Sequence, residues 1–201
     1  AVSVGSTLAL LKTTSNTKQN VFTAAAGLVG QLKEDAFDGY DYGADESGRD
    51  EISDPTLGIV QAQKVVPGRE IPKNPQVKNA SAEDGSGVSA WVAVRLDVKC
   101  DGKTGTEAMN LIKTFADIDF AGTWDADEDG ITFYYQEKVA PGAETTELFT
   151  TVTIKSDDDI SVSDIKDFEI NPTAYLIQAE GKEGATDLAA AKLVFADKFG
   201  F

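Results

Sequence analysis

Histidine is absent from the 201 residues, cysteine and methionine occur once each, tryptophan twice and proline six times. Without imidazole there is no Ser-His-Asp or Cys-His arrangement, no side chain whose ordinary pKa serves general base catalysis near neutrality, and no zinc site that needs a histidine ligand. The lone Cys100 closes no internal disulfide and has no second cysteine to share a metal with, so it reads as a small, buried apolar side chain. Basic residues are scarce as well: 18 against 34 acidic ones give a net charge of −16 and a pI near 4.3. Such a surface repels a phosphate backbone, which argues against nucleic acid as a partner, and it disfavours an anionic membrane surface too. No apolar run approaches the roughly 18 residues of a membrane span. What is present suits one domain with a real core: 41% hydrophobic and 26% charged residues lie close to globular averages. The sequence opens at Ala1 with neither an initiator methionine nor a charged and apolar leader, as expected after removal of an export signal or after trimming.

Period-two patterning dominates the chain. In Ala1–Leu11, Val2, Val4, Leu8 and Leu10 share one face of an extended strand, and the wholly polar stretch 12–20 that follows reads as a tether. Val21–Lys33 predicts a second strand. Segment 34–54 sets nine carboxylates against Arg49 among three glycines, with neither period, and predicts an exposed acidic loop. Leu57–Val66 reads as a strand ending in the Pro67-Gly68 turn, and the prolines of Ile71–Asn79 assign that segment to a sheet edge or to irregular chain. Val88 to Cys100 alternates strictly, with one face wholly apolar, and predicts a core strand.

Thr106–Phe115 carries Ala108, Leu111, Ile112 and Phe115 at helical spacing, with Thr104 and Glu107 placed as a capping box. Asp119–Trp124 and Ile131–Val139 flank an acidic turn closed by Asp129-Gly130, a hairpin signal. Glu147–Lys155 and Phe168–Ala179, the latter interrupted at Asn171-Pro172, supply further strands. Thr186 caps a final helix with the stripe Leu188, Ala191, Val194 and Phe195. About eight short strands, two small helices and no βαβ alternation predict a mainly β fold, an antiparallel β-sandwich.

Three constellations carry possible chemistry. Asp125, Asp127, Asp129 and Gly130 match the opening of an EF-hand Ca²⁺ loop, but position twelve is Gln136 and the flanks are strands, so an acidic hairpin turn and a Ca²⁺ site both stay open. Trp91, Trp124, Tyr134 and Tyr135 either line a sugar-binding platform or pack the core. The N-terminal strand either pairs within its own domain or leaves it to complete the sheet of a neighbouring subunit; donation of that kind does not close on itself and builds a filament.

Several ordered segments resemble the TasA/camelysin family, exported proteins carrying a SipW-type signal. They are Gly5-Ser6-Thr7-Leu8-Ala9, Asn20-Val21-Phe22-Thr23, the run from Val66-Pro67-Gly68 through Ile71-Pro72-Lys73-Asn74-Pro75-Gln76-Val77-Lys78-Asn79 to Ala90-Trp91-Val92-Ala93-Val94, and, further on, Phe133-Tyr134-Tyr135, Lys138 to Phe149 and Ala174 to Gly181. The resemblance implies a jelly-roll-like sandwich with one or two short helices at the cell surface. Its members assemble into matrix fibres or filaments through donated N-terminal strands.

Carried over by position, residues 1–11 are the donor strand, with Val2, Val4, Leu8 and Leu10 as its apolar face, 12–20 the tether and 21–201 the sandwich with its acidic loop 34–54. The metallopeptidase label also attached to this family does not transfer, since HExxH needs histidine. The expectation is therefore a non-enzymatic, extracellular homopolymer subunit that joins head to tail by donor-strand exchange, bundles laterally, spans no membrane and needs no cofactor except, at most, Ca²⁺. The alternative is a monomeric secreted module that binds glycans or surfaces.

Overall fold

The computed structural model describes residues 11–12, 28–42, 54–81, 87–156, 160–179 and 184–200. Within them the chain is mainly β, with antiparallel sheets and short helices in a sandwich-like arrangement. The organising element is the strand β5 (Ala90–Cys100), whose even-numbered residues from Ala90 to Cys100 all enter the main core. On its other face Trp91 and Ala93 are buried in a second, smaller cluster, whereas Asp97 and Lys99 are exposed. The alternation read from sequence is thus the alternation of two real faces.

Along its whole length β5 pairs antiparallel with β11 (Phe168–Gln178), from Phe168 opposite Cys100 to Gln178 opposite Ala90. Asn171-Pro172 does not interrupt β11, contrary to expectation. Pro172 stands opposite Leu96, whose N–H turns away to the Ile131 carbonyl at 2.8 Å, so this step of the ladder asks no N–H of the proline. On its other side β5 pairs with β9 (Thr132–Tyr135), which pairs with β8 (Trp124–Ala126). The short β6 (Lys103–Thr104) folds back on the end of β5, and β1 (Leu11–Lys12) adds to β11, giving a six-stranded sheet.

Against its core face lie a three-stranded sheet, in the order β3 (Glu70–Pro72), β10 (Thr151–Ile154), β7 (Ala116–Ile118), and a two-stranded one of β2 (Gly30–Lys33) and β4 (Gln76–Asn79). Pro72 lies in the edge strand β3, as its missing N–H requires. The helix α3 (Gly105–Phe115) buries Ala108, Met109, Ile112 and Phe115 in the same core, with Leu111 half-buried. Thr104 occupies its N-cap position without a side-chain hydrogen bond there, so the expected capping box does not form. The opposite face of the sheet is covered by α4 (Leu188–Phe199), which buries Ala191 and Phe195; its cap is Asp187, accepting from the Ala190 N–H at 2.8 Å, one residue beyond the predicted Thr186.

Two further readings are corrected. Leu57–Val66 is not a strand: Gly58–Gln61 is the one-turn helix α2, because Gly58 lets the chain touch β3 where a Cβ would lie 1.8 Å from the Pro72 carbonyl oxygen. The acidic segment 34–54 is not exposed at its start. Asp35–Asp38 forms the one-turn helix α1, Phe37 is fully buried, and the carboxylates of Glu34 and Asp38 are buried with it. The cation that makes this tolerable is Lys73, also fully buried, whose Nζ lies 2.5 Å from Glu34 Oε1.

Candidate functional site

The edge of the six-stranded sheet is where the N-terminal segment meets the domain. Leu11 stands opposite Phe168 and Lys12 opposite Glu169, and the pairing is parallel. As parallel neighbours, β1 and β11 are joined not by a tight turn but by all of the intervening chain. The expected donor residues Val2, Val4, Leu8 and Leu10 lie outside the described residues, as does most of the tether 12–20; only Lys12, assigned to the tether, continues the strand.

The residues of β11 that pair with β1 are engaged by side chains of their own domain. Phe168 is buried and meets Phe115 edge-on at 5.7 Å, while Glu169 holds Lys99 at 3.3 Å. Its hydrogen bond to Glu169 and the charge of Asp97 raise the Lys99 pKa above the ordinary lysine value. Beside these residues a cleft of about 380 Å³ opens between the start of β11 and the β5–β6 turn, where Asp101 and Gly102 take positive φ of 50° and 76°. Cys100, expected to be a buried apolar side chain, is buried at the back of this cleft. Burial pushes its thiol up to about 11, which leaves it protonated and unreactive at neutral pH.

The three aspartates of the acidic turn have other partners. Asp129 accepts from the Ile131 and Thr132 N–H groups at 2.9 and 2.8 Å and from the Thr132 hydroxyl at 2.7 Å, which shapes the turn between β8 and β9. Asp125 pairs with Lys192 of α4 at 2.7 Å. Asp127 bonds the Tyr134 hydroxyl; burial, with the charges of Asp127 and Asp129, pushes that hydroxyl up to about 12. Among the described residues no three acidic or cysteine side chains gather as a metal-holding group.

Trp91, Trp124, Tyr134 and Tyr135 are all buried, which assigns these rings to packing rather than to an exposed sugar platform. Trp91 donates from Nε1 to the Ala185 carbonyl at 2.9 Å, and Tyr134 packs 5.7 Å from Phe195.

Sequence reasoning missed a polar centre built from the very motif that carried the family resemblance. Asn74 donates to Asp35 at 2.7 Å and to Glu147 at 2.9 Å, and accepts from the Ala36 N–H at 2.8 Å. Asn79, fully buried, donates to the Val88 and Val139 carbonyls, both at 2.9 Å, and accepts from Ser81. The Lys-Asn-Pro-x-Val-x-Asn run therefore ties distant loops together, and its signal in the sequence was the density of polar residues between prolines.

In comparisons with protein families, with curated proteins and with solved structures, the chain matches none. No helix among the described residues is long and apolar enough to cross a membrane.

Proposed function

We propose that this chain is the subunit of an extracellular filament of the TasA/camelysin kind, polymerising head to tail by donation of its N-terminal strand. The observation that carries the reading is the parallel addition of Leu11–Lys12 to the edge strand β11. An edge that pairs with Leu11–Lys12 of its own chain offers the same ladder of N–H and C=O groups to an extended strand from a neighbour. Apolar side chains on the donor supply the driving force: burying Val2, Val4, Leu8 and Leu10 is worth about 1.5–3 kcal/mol each before ordering costs. The net charge of −16 makes subunits repel, so the joint depends on this burial rather than on charge pairing. The glycan-binding alternative loses its best residues, since the four rings that would form a platform are buried.

The decisive experiment is electron microscopy of the full chain and of a variant lacking residues 1–12. The full chain is expected to form filaments at raised concentration, and the truncated one to stay dispersed with an unchanged far-ultraviolet circular dichroism spectrum. Filaments of equal yield from the truncated chain would remove the donor strand from the mechanism, and a full chain that stays monomeric at every concentration would remove the filament.

A further inference from the structure

The contact between Lys73 and Glu34 has the makings of a covalent bond. Lys73 lies between Pro72 and Pro75, its N–H fixed to the Thr150 carbonyl at 3.0 Å, so its backbone has little freedom. Glu34 follows β2 directly, and the pairing of Lys33 with Gln76 in the β2–β4 ladder brings the two backbones side by side. Both side chains are withdrawn from water: that of Lys73 is 0% and that of Glu34 6% exposed. The Phe37 ring stands 4.4 Å from Nζ, and Gly58 admits that ring, since a Cβ there would lie 2.7 Å from Phe37 Cδ2.

Nζ and Oε1 are 2.5 Å apart, closer than the usual N–H···O distance of about 2.7–3.2 Å, and the contact lacks hydrogen-bond angles. Among the described residues Nζ has no hydrogen-bond partner, although an ammonium carries three donors. An ammonium kept for stability alone would be expected to satisfy those donors, as buried charges generally do. An amine set against a carboxyl group in a dry, aromatic-walled site is instead held as a pair of reactants, and such positioning replaces much of the entropy cost of bringing them together.

We propose that Lys73 and Glu34 join in an intramolecular isopeptide bond. A proton passes from the ammonium to the carboxylate, leaving an amine and a carboxylic acid with no change in net charge. The Nζ lone pair then attacks Cδ of Glu34, the Cδ–OH bond breaks, and the hydroxyl leaves with a proton from nitrogen as water. The product is a secondary amide between β2 and the β3–β4 connection. No oxidant, metal or co-reactant enters the balance, and the bond requires no assembly, so it stands or falls independently of the filament.

The test is the intact mass of the purified full chain under denaturing conditions. The expected mass is about 18 Da below that of the sequence, one water lost, with a branched peptide joining the Glu34 and Lys73 segments after proteolysis. Glu34→Gln is expected either to lose about 17 Da, as ammonia leaves instead of water, or to keep its full mass; Lys73→Arg is expected to keep its full mass. Because the wild-type chain decides the matter, a variant that fails to fold does not blunt the test. A folded wild-type chain with the unmodified sequence mass overturns the proposal, and so does a mass loss that persists in Lys73→Arg.

Discussion

The two ends of the chain are attached to the same sheet by different physics. At the C-terminal end, α4 is held by side chains: Phe195 is fully buried beside Tyr134, Phe199 packs 4.9 Å from Tyr175, and Lys192 bonds Asp125 while standing 4.9 Å from the Tyr134 ring. Near the N-terminal end, the described contact is a two-residue backbone ladder between β1 and β11. A side-chain cluster is specific to the residues that interdigitate in it, whereas a backbone ladder is open to any extended segment in register. The end fastened by packing belongs to its own domain. Under the proposed assembly, the end fastened by main-chain hydrogen bonds is the one that a neighbouring copy would replace.

That contrast breaks most visibly under truncation. Ending the chain after Ala185 bares Trp91, Ala93, Tyr134 and Ile177 to water and is expected to abolish cooperative thermal unfolding or to drive aggregation; removing residues 1–12 is expected to shift the midpoint by only a few degrees. Equal losses in calorimetry would show that the two ends are fastened alike. A finer probe is Phe195→Ala, which empties a fully buried site and is expected to cost about 3–5 kcal/mol in urea titrations. A cost under about 1 kcal/mol would mean that α4 is only loosely seated.

The smallest effect is alkaline. Burial raises the Tyr134 hydroxyl from 10.0 to about 12 and the Cys100 thiol from 9.0 to about 11, and it raises Tyr175 as well. The folded state then keeps protons that the unfolded chain has released, so stability is full below these ordinary values and falls as pH rises through each window. The Cys100 window opens first, near pH 9, and lies beside the β1 edge; the Tyr134 window opens near pH 10 under α4. Cys100→Ala is expected to flatten the midpoint–pH curve between pH 9 and 10 and to leave the steeper fall above it. Unchanged curvature would assign the early loss to other groups.

The long strands were legible because they bury one full face. The even positions of β5 could be read as core since six consecutive alternate residues are apolar, and α3 was legible from the spacing of Ala108, Ile112 and Phe115. Where the fold departed from pattern, tertiary contact had overruled local preference. The β-rich look of Leu57–Val66 yields to the close approach that Gly58 permits, and Pro172 sits in a long strand because its partner's N–H faces the other way.

The acidic stretch beginning at Glu34 misled for a different reason: its burial depends on a cation 39 residues away, Lys73, which no local window contains. The Asp125–Asp129 turn was recognisable as a hairpin, but the engagement of its carboxylates with Thr132, Tyr134 and Lys192 depends on the neighbouring strand and on α4.

The Lys73–Glu34 pair also bears on how the molecule would carry load. With the amide formed, tension applied between the two ends of the chain passes across that bond, and residues 35–72 drop out of the path. Those 38 residues would otherwise add roughly 130 Å of contour on extension. In a single-molecule pulling trace the bonded chain would therefore give a contour gain shorter by that length than its Lys73→Arg counterpart, whatever force is needed to unfold either one.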